Sequence, residues 1–142
     1  MLHHARAHKR KKPDAMIILC GHNDISENRR IKHDNLNKKR QDKEDPVDTY
    51  ANMQNLIKEL KRELPSTDLS VCQLTCRDDK TDIMNDVKET NQKLQQLSQR
   101  EQIGYIKFDS FSNSHLGRKG LHPNQHGVVK LAQILKEHVA TL

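Results

Sequence analysis

Two short runs hold the residues best suited to chemistry. Gly21-His22-Asn23-Asp24 follows a block of apolar residues, and Gly120-Leu121-His122-Pro123-Asn124-Gln125-His126-Gly127 lies toward the other end of the chain. An Asn amide donates hydrogen bonds without carrying charge, and an imidazole exchanges protons near neutral pH. Each run also has a plainer reading. Gly, Asn and Asp favour a turn after a strand, and His-Pro can mark a helix start with Pro at its first position. His22, His115 and His126 lack the paired spacing of a zinc motif, so they read as solvated loop histidines and no metal is expected. Ser110, Ser112 and Ser114, which precede His122, read as loop residues rather than a nucleophile.

The elements around the two runs decide whether they can meet. Ala15 to Cys20 is an unbroken apolar segment that fits a strand buried on both faces and ends at Gly21. Ser26 to Asp45 is polar and highly charged, and reads as a long surface loop with some helical character. Asp45-Pro46 supplies an N-cap and a first helical Pro, with Asp48 in the first turn. Met53, Leu56, Ile57, Leu60 and Leu64 then form one apolar stripe that Pro65 stops. Leu69 to Leu74 is a second strand. Ile83, Val87, Thr90, Leu94 and Leu97 predict a second helix, with Thr81 or Asp82 as its cap. Gly104 to Phe108 is a third strand, followed by the loop Asp109 to Leu121. A last helix follows Pro123, with Val128, Leu131, Ala132, Leu135 and Val139 on its stripe.

Strand and helix thus alternate, which predicts a parallel sheet with right-handed crossovers. All three strands then point one way, and both candidate runs emerge at the carboxyl edge where open α/β sheets bind their ligands.

At 142 residues the chain is one domain. Hydrophobic residues make up only 33% and Trp is absent, so the core is modest and built from Leu, Ile, Val and Met. The net charge of +6 belongs to one end. Five of the 25 basic residues precede Asp14 and no acid does, which leaves 20 basic against 19 acidic residues in the remainder. Residues 1–12 therefore form a basic flexible tail, able to contact RNA or serve as a nuclear-localisation patch. It lacks the apolar stretch of a signal peptide or membrane anchor. Three sparse cysteines, Cys20, Cys72 and Cys76, have no His-containing zinc spacing, and Cys20 and Cys72 fall in predicted strands where a thiol packs as a small apolar group. Without a signal peptide, a reducing intracellular compartment, cytoplasmic by default, is expected.

Together, in this order and on this alternation, the two runs resemble the third and fifth conserved blocks of the SGNH (GDSL-like) hydrolases. The resemblance covers Pro13 to Leu142 and implies a three-layer α/β fold with a parallel, flavodoxin-like sheet flanked by helices, incomplete because its N-terminal strands are missing. It implies esterase chemistry without a cofactor. Asn23 matches the family's oxyanion donor, with Gly21 and Asp24 supporting its loop, and His122 matches the general base, followed by the matching Pro123. One preorganised donor of this kind is worth roughly 10²- to 10³-fold in rate.

The departures matter as much. Lys119 stands where the family has the Asp that orients the His, and a Lys there disfavours imidazolium. The Gly-Asp-Ser block and the second-block Gly have no counterpart, so the nucleophile is unknown. Loss of a Ser nucleophile costs on the order of 10⁶ in turnover, and the isolated chain is expected to be an incompetent esterase unless an upstream segment completes it for an ester substrate. The alternatives are a binding module, taking nucleic acid through the tail and the Arg29 to Arg40 segment or taking a protein partner, and a non-functional remnant of a retroelement esterase. The open edge of the first strand is available to a partner chain.

Overall fold

A computed structural model describes residues 11–142. Its elements, in order, are β1 (Ala15–Ile18), α1 (His22–Asn35), α2 (Thr49–Glu63), β2 (Asp68–Cys72), α3 (Ile83–Arg100), β3 (Gly104–Ile106) and α4 (Gln125–Ala140), with single 3-10 turns at Arg40–Asp42 and Asn113–His115. The three strands form one parallel sheet in the order β1-β2-β3. Ala15 pairs with Asp68 and Ile18 with Val71, while Ser70 pairs with Gly104 and Cys72 with Ile106. The predicted parallel α/β alternation is the observed one.

Because side chains alternate across a strand, each strand feeds two cores. Met16, Ile18, Leu69, Val71 and Tyr105 face the larger core, which is closed by Ile25 of α1, Met53, Ile57 and Leu60 of α2, and Ile83, Val87, Leu94 and Leu97 of α3. Ile17, Cys72 and Ile106 face the smaller core, closed by Leu131, Ile134 and Leu135 of α4 together with Phe108, Phe111 and Leu116. Three helices on one face and one on the other make a three-layer fold. On the α4 face Ser70, buried in β2, bonds the His138 ring across 2.9 Å.

Four local expectations change. Most of the charged segment from Ser26 onward is helical. Only Ile25 and Ile31 of α1 are buried, too sparse for an apolar period, and the helix is fixed instead by those two residues and by ion pairs from Arg29 to Asp86 (2.5 Å) and from Arg30 to Glu27 and Asp34. The next helix starts at Thr49 rather than Pro46, because Asp48 is the residue that caps, accepting from the Ala51 amide at 3.0 Å. Asp82 does precede α3, yet in a left-handed conformation with no side-chain cap bond. In α4 the stripe is turned toward Ile134 and His138, leaving Val128 and Val139 exposed.

Of the cysteines, Cys72 is fully buried as the apolar reading requires, its thiol pushed up to about 12 by burial. Cys20 lies beyond the end of β1 and is exposed. Residues 1–10 of the basic tail lie outside the described residues. Lys12 is exposed and its Nζ donates to the Glu63 carbonyl at the end of α2, 3.2 Å away. Among the described residues no helix is long and apolar enough to cross a membrane.

Candidate active site

The carboxyl ends of the three strands lead into three segments that touch one another. After β1, the chain turns at Gly21, whose φ of 129° is open to glycine and strained for other residues. Gly21 then caps α1 without any side-chain bond, which puts His22, Asn23 and Asp24 in the first helical turn. Asn23 is exposed, and among the described residues its side-chain amide makes no hydrogen bond. Asp24 is committed, accepting from the Thr49 hydroxyl at 3.0 Å and so tying α1 to the start of α2. Its negative charge also suits the positive end of the helix.

After β3 the chain reaches His122 through a tight loop. The His122 carbonyl accepts from the Gly117 amide (2.8 Å), and Leu116 bridges to Pro123. Asn124 then caps α4, its Oδ1 accepting from Gly127 at 2.8 Å while its Nδ2 donates to the Ser114 and Leu116 carbonyls. This rigid frame carries an exposed imidazole, and among the described residues the His122 ring has no hydrogen-bond partner. Lys119, at the position where the resemblance calls for Asp, is exposed.

The remaining candidates separate cleanly. Ser112 and Ser114 bond each other at 2.8 Å, and the Ser112 amide donates to His115 Nδ1 at 3.0 Å, so this serine-histidine contact is a local capping box that does not include His122. His115 further stacks on Phe111. Ser110 and His126 are exposed. Among the described residues no group of three or more His, Cys, Asp or Glu is gathered as a metal would need.

The segment after β2 was not singled out by sequence. Thr75, buried, bonds the Nε2 of His22 across 3.1 Å, leaving His22 Nδ1 buried without a partner. Burial, followed by the positive charge of Arg77, lowers the His22 pKa to about 4; His122 adds to the lowering and Asp79 opposes it. The neighbour of Asn23 therefore stays neutral at physiological pH, and His122 is near enough for its charge to be felt there. The signal that could have flagged this segment is Arg77-Asp78-Asp79, a charged triplet just past a buried strand at the functional edge.

A cavity of about 380 Å³ lies beside the Asn23 turn, lined by Leu19, Cys20, Gly21, His22, Asn23, Asp24 and Leu74. The larger groove, about 910 Å³, runs between α1 and α3 past Arg29 and Asp86 and contains neither Asn23 nor His122. The smaller one lies at the sheet edge and is lined by Asn23, though not by His122.

Residues 1–128 match the GDSL-like Lipase/Acylhydrolase family. The chain belongs to this family. Solved structures share the fold of this GDSL-like chain at low identity. A candidate platelet activating factor from Streptococcus pneumonia is 18% identical with a TM-score of 0.70, over 96% of this chain and 65% of that one. A GDSL-like lipase from Bacteroides thetaiotaomicron is 14% identical with a TM-score of 0.66, over 91% and 63%. A family 3 carbohydrate esterase from Clostridium thermocellum is 20% identical with a TM-score of 0.59, over 88% and 55%. The GDSL-like chain thus spans less than two thirds of the length of the structures it matches. No curated protein matches it.

Proposed function

We propose that this GDSL-like chain supplies the oxyanion-donor and general-base half of a Ser-dependent carboxylic ester hydrolase, and that the 142 residues alone do not turn over an ester. The observation that carries the reading is the shared carboxyl edge. Asn23 after β1 and His122 after β3 both present side chains that are exposed and unbonded among the described residues.

In that reaction His122 takes the proton of a Ser hydroxyl as its oxygen attacks the ester carbonyl. The Asn23 amide donates to the oxyanion of the tetrahedral intermediate, and the backbone at the start of α1 adds its dipole. His122 then returns the proton to the departing alkoxide, and water reverses the sequence to free the acid. The hydroxyl comes from a segment other than the Ser110 to Ser114 turn, whose Ser112 and Ser114 are spent on each other and on His115.

The test combines hydrolysis of an activated short-chain ester with labelling by a Ser-directed fluorophosphonate. Neither is expected from the 142-residue chain. Turnover with labelling, abolished by His122→Ala, would overturn the inactivity while upholding the role of His122. A second reading, phosphate binding through the basic tail and the Arg29 to Arg40 segment, has less support, because Arg29 is held by Asp86 and Arg30 by Glu27, Asp34 and Glu44. Its check is RNA binding that weakens steeply with salt.

A further inference from the structure

The segment after β2 contains an ion pair, its Arg buried and its Asp partly exposed, that the esterase reading leaves unused. Arg77 is 3% exposed. Its Nε and Nη2 donate to the two carboxylate oxygens of Asp79 at 2.9 and 2.8 Å. The same guanidinium reaches into the first turn of α1, where Nη1 donates to the His22 carbonyl and Nη2 to the Ser26 hydroxyl, both at 3.1 Å. Those acceptors bracket Asn23. One residue on from Arg77, the Asp78 amide donates to the Gly120 carbonyl at 2.7 Å, two residues before His122. A run of three residues therefore grips both halves of the candidate site.

Stability gives little reason for such a pair. Taking a guanidinium out of water is costly, and well-packed apolar residues in place of a buried ion pair are often as stable or more so. The helix end adds to the cost, since the N-terminus of α1 carries partial positive charge and favours anions. What the pair does supply is direction. A planar, forked guanidinium held on one edge by Asp79 presents its remaining donors at fixed angles, and here they fall on the one turn that aims Asn23.

We propose that Arg77, braced by Asp79, is a positioning residue that sets the first turn of α1 and, through Asp78, holds it in register with the His122 loop. The proposal rests on the esterase reading only for what Asn23 and His122 go on to do. The alignment itself is measurable without substrate, so its failure and the failure of the esterase reading are separate results.

The experiment is NMR of the 142-residue chain, following amide hydrogen exchange, the Asn23 side-chain amide and the histidine rings. Arg77→Lys keeps the charge and removes the fork, whereas Arg77→Met with Asp79→Leu removes the pair. In both, the Ile25 and Ser26 amides are expected to exchange faster by about tenfold or more, as loss of one charge-assisted bond allows. The Asn23 amide and His122 ring signals should move together, while the His138 ring, bonded to Ser70 on the opposite face, stays in place. Unmoved Asn23 and His122 signals in either folded variant would overturn the proposal. So would acceleration of the core amides of Ile57 and Val71 in proportion to those of α1, since that marks a merely structural role. If the double variant does not fold, Arg77→Lys decides alone.

Discussion

Replacing Gly120 by Ala perturbs the contact between the His122 loop and the segment after β2 directly. Gly120 has φ of 68°, a left-handed conformation that costs a residue with a Cβ about 1 kcal/mol. The added Cβ would stand 2.6 Å from the carbonyl carbon of Asp78 and 2.8 Å from its oxygen. Backbone atoms cannot yield as a side-chain tip would, so the two segments must separate. Separation lengthens or breaks the 2.7 Å bond from the Asp78 amide to the Gly120 carbonyl, a further loss of about 1 kcal/mol. Together the terms come to roughly 2 kcal/mol, a melting temperature lower by roughly 5–10 °C in a domain of this size. The control is Gly117→Ala in the same loop, where the nearest atom to a new Cβ is the His122 carbonyl oxygen at an ordinary 3.5 Å. It should be nearly neutral. Thermal unfolding followed by circular dichroism reads both, and equal melting temperatures for the two variants would refute the reasoning.

Two other predictions concern the flanks of the same edge. The unfolded chain protonates His22 near 6.5, the folded chain only near 4; between these values the unfolded state binds more protons, so stability is full above pH 6.5 and falls as pH drops toward 4. The loss is at most about 3 kcal/mol, and His22→Gln should flatten that part of a urea-measured stability profile. Asn124→Ala removes the α4 cap and two side-chain donors, for an expected cost of about 2 kcal/mol in denaturant unfolding, while Asn124→Asp keeps the cap and should cost less.

Much of the fold was legible because burial writes itself into short-range patterns. The apolar run before Gly21 is short and unbroken enough to identify a strand, the stripes Met53 to Leu64 and Ile83 to Leu97 are periodic enough to identify helices, and the alternation of elements dictates a parallel sheet. The α1 helix was not legible, since its two buried isoleucines are six residues apart and its partners, such as Asp86, lie far along the chain. The face of α4 was legible only in part, Leu131 and Leu135 packing as expected and Val128 and Val139 not, for a related reason. Its apolar residues surround much of the helix, and only the sheet selects Leu131, Ile134 and Leu135 over Val128 and Val139.

The candidate site divides along the same line. By itself the sequence offered the candidate residues, because the types and order of Gly21, Asn23, Asp24, His122 and Pro123 are local properties of the chain. It also determined that they follow strands, and hence share an edge. The tertiary structure alone decided that Asp24 is spent on Thr49, that Ser112 serves His115 rather than His122, and that Arg77 grips the Asn23 turn from 55 residues away. Such bonds depend on side chains brought together by packing, and no spacing along the sequence encodes them.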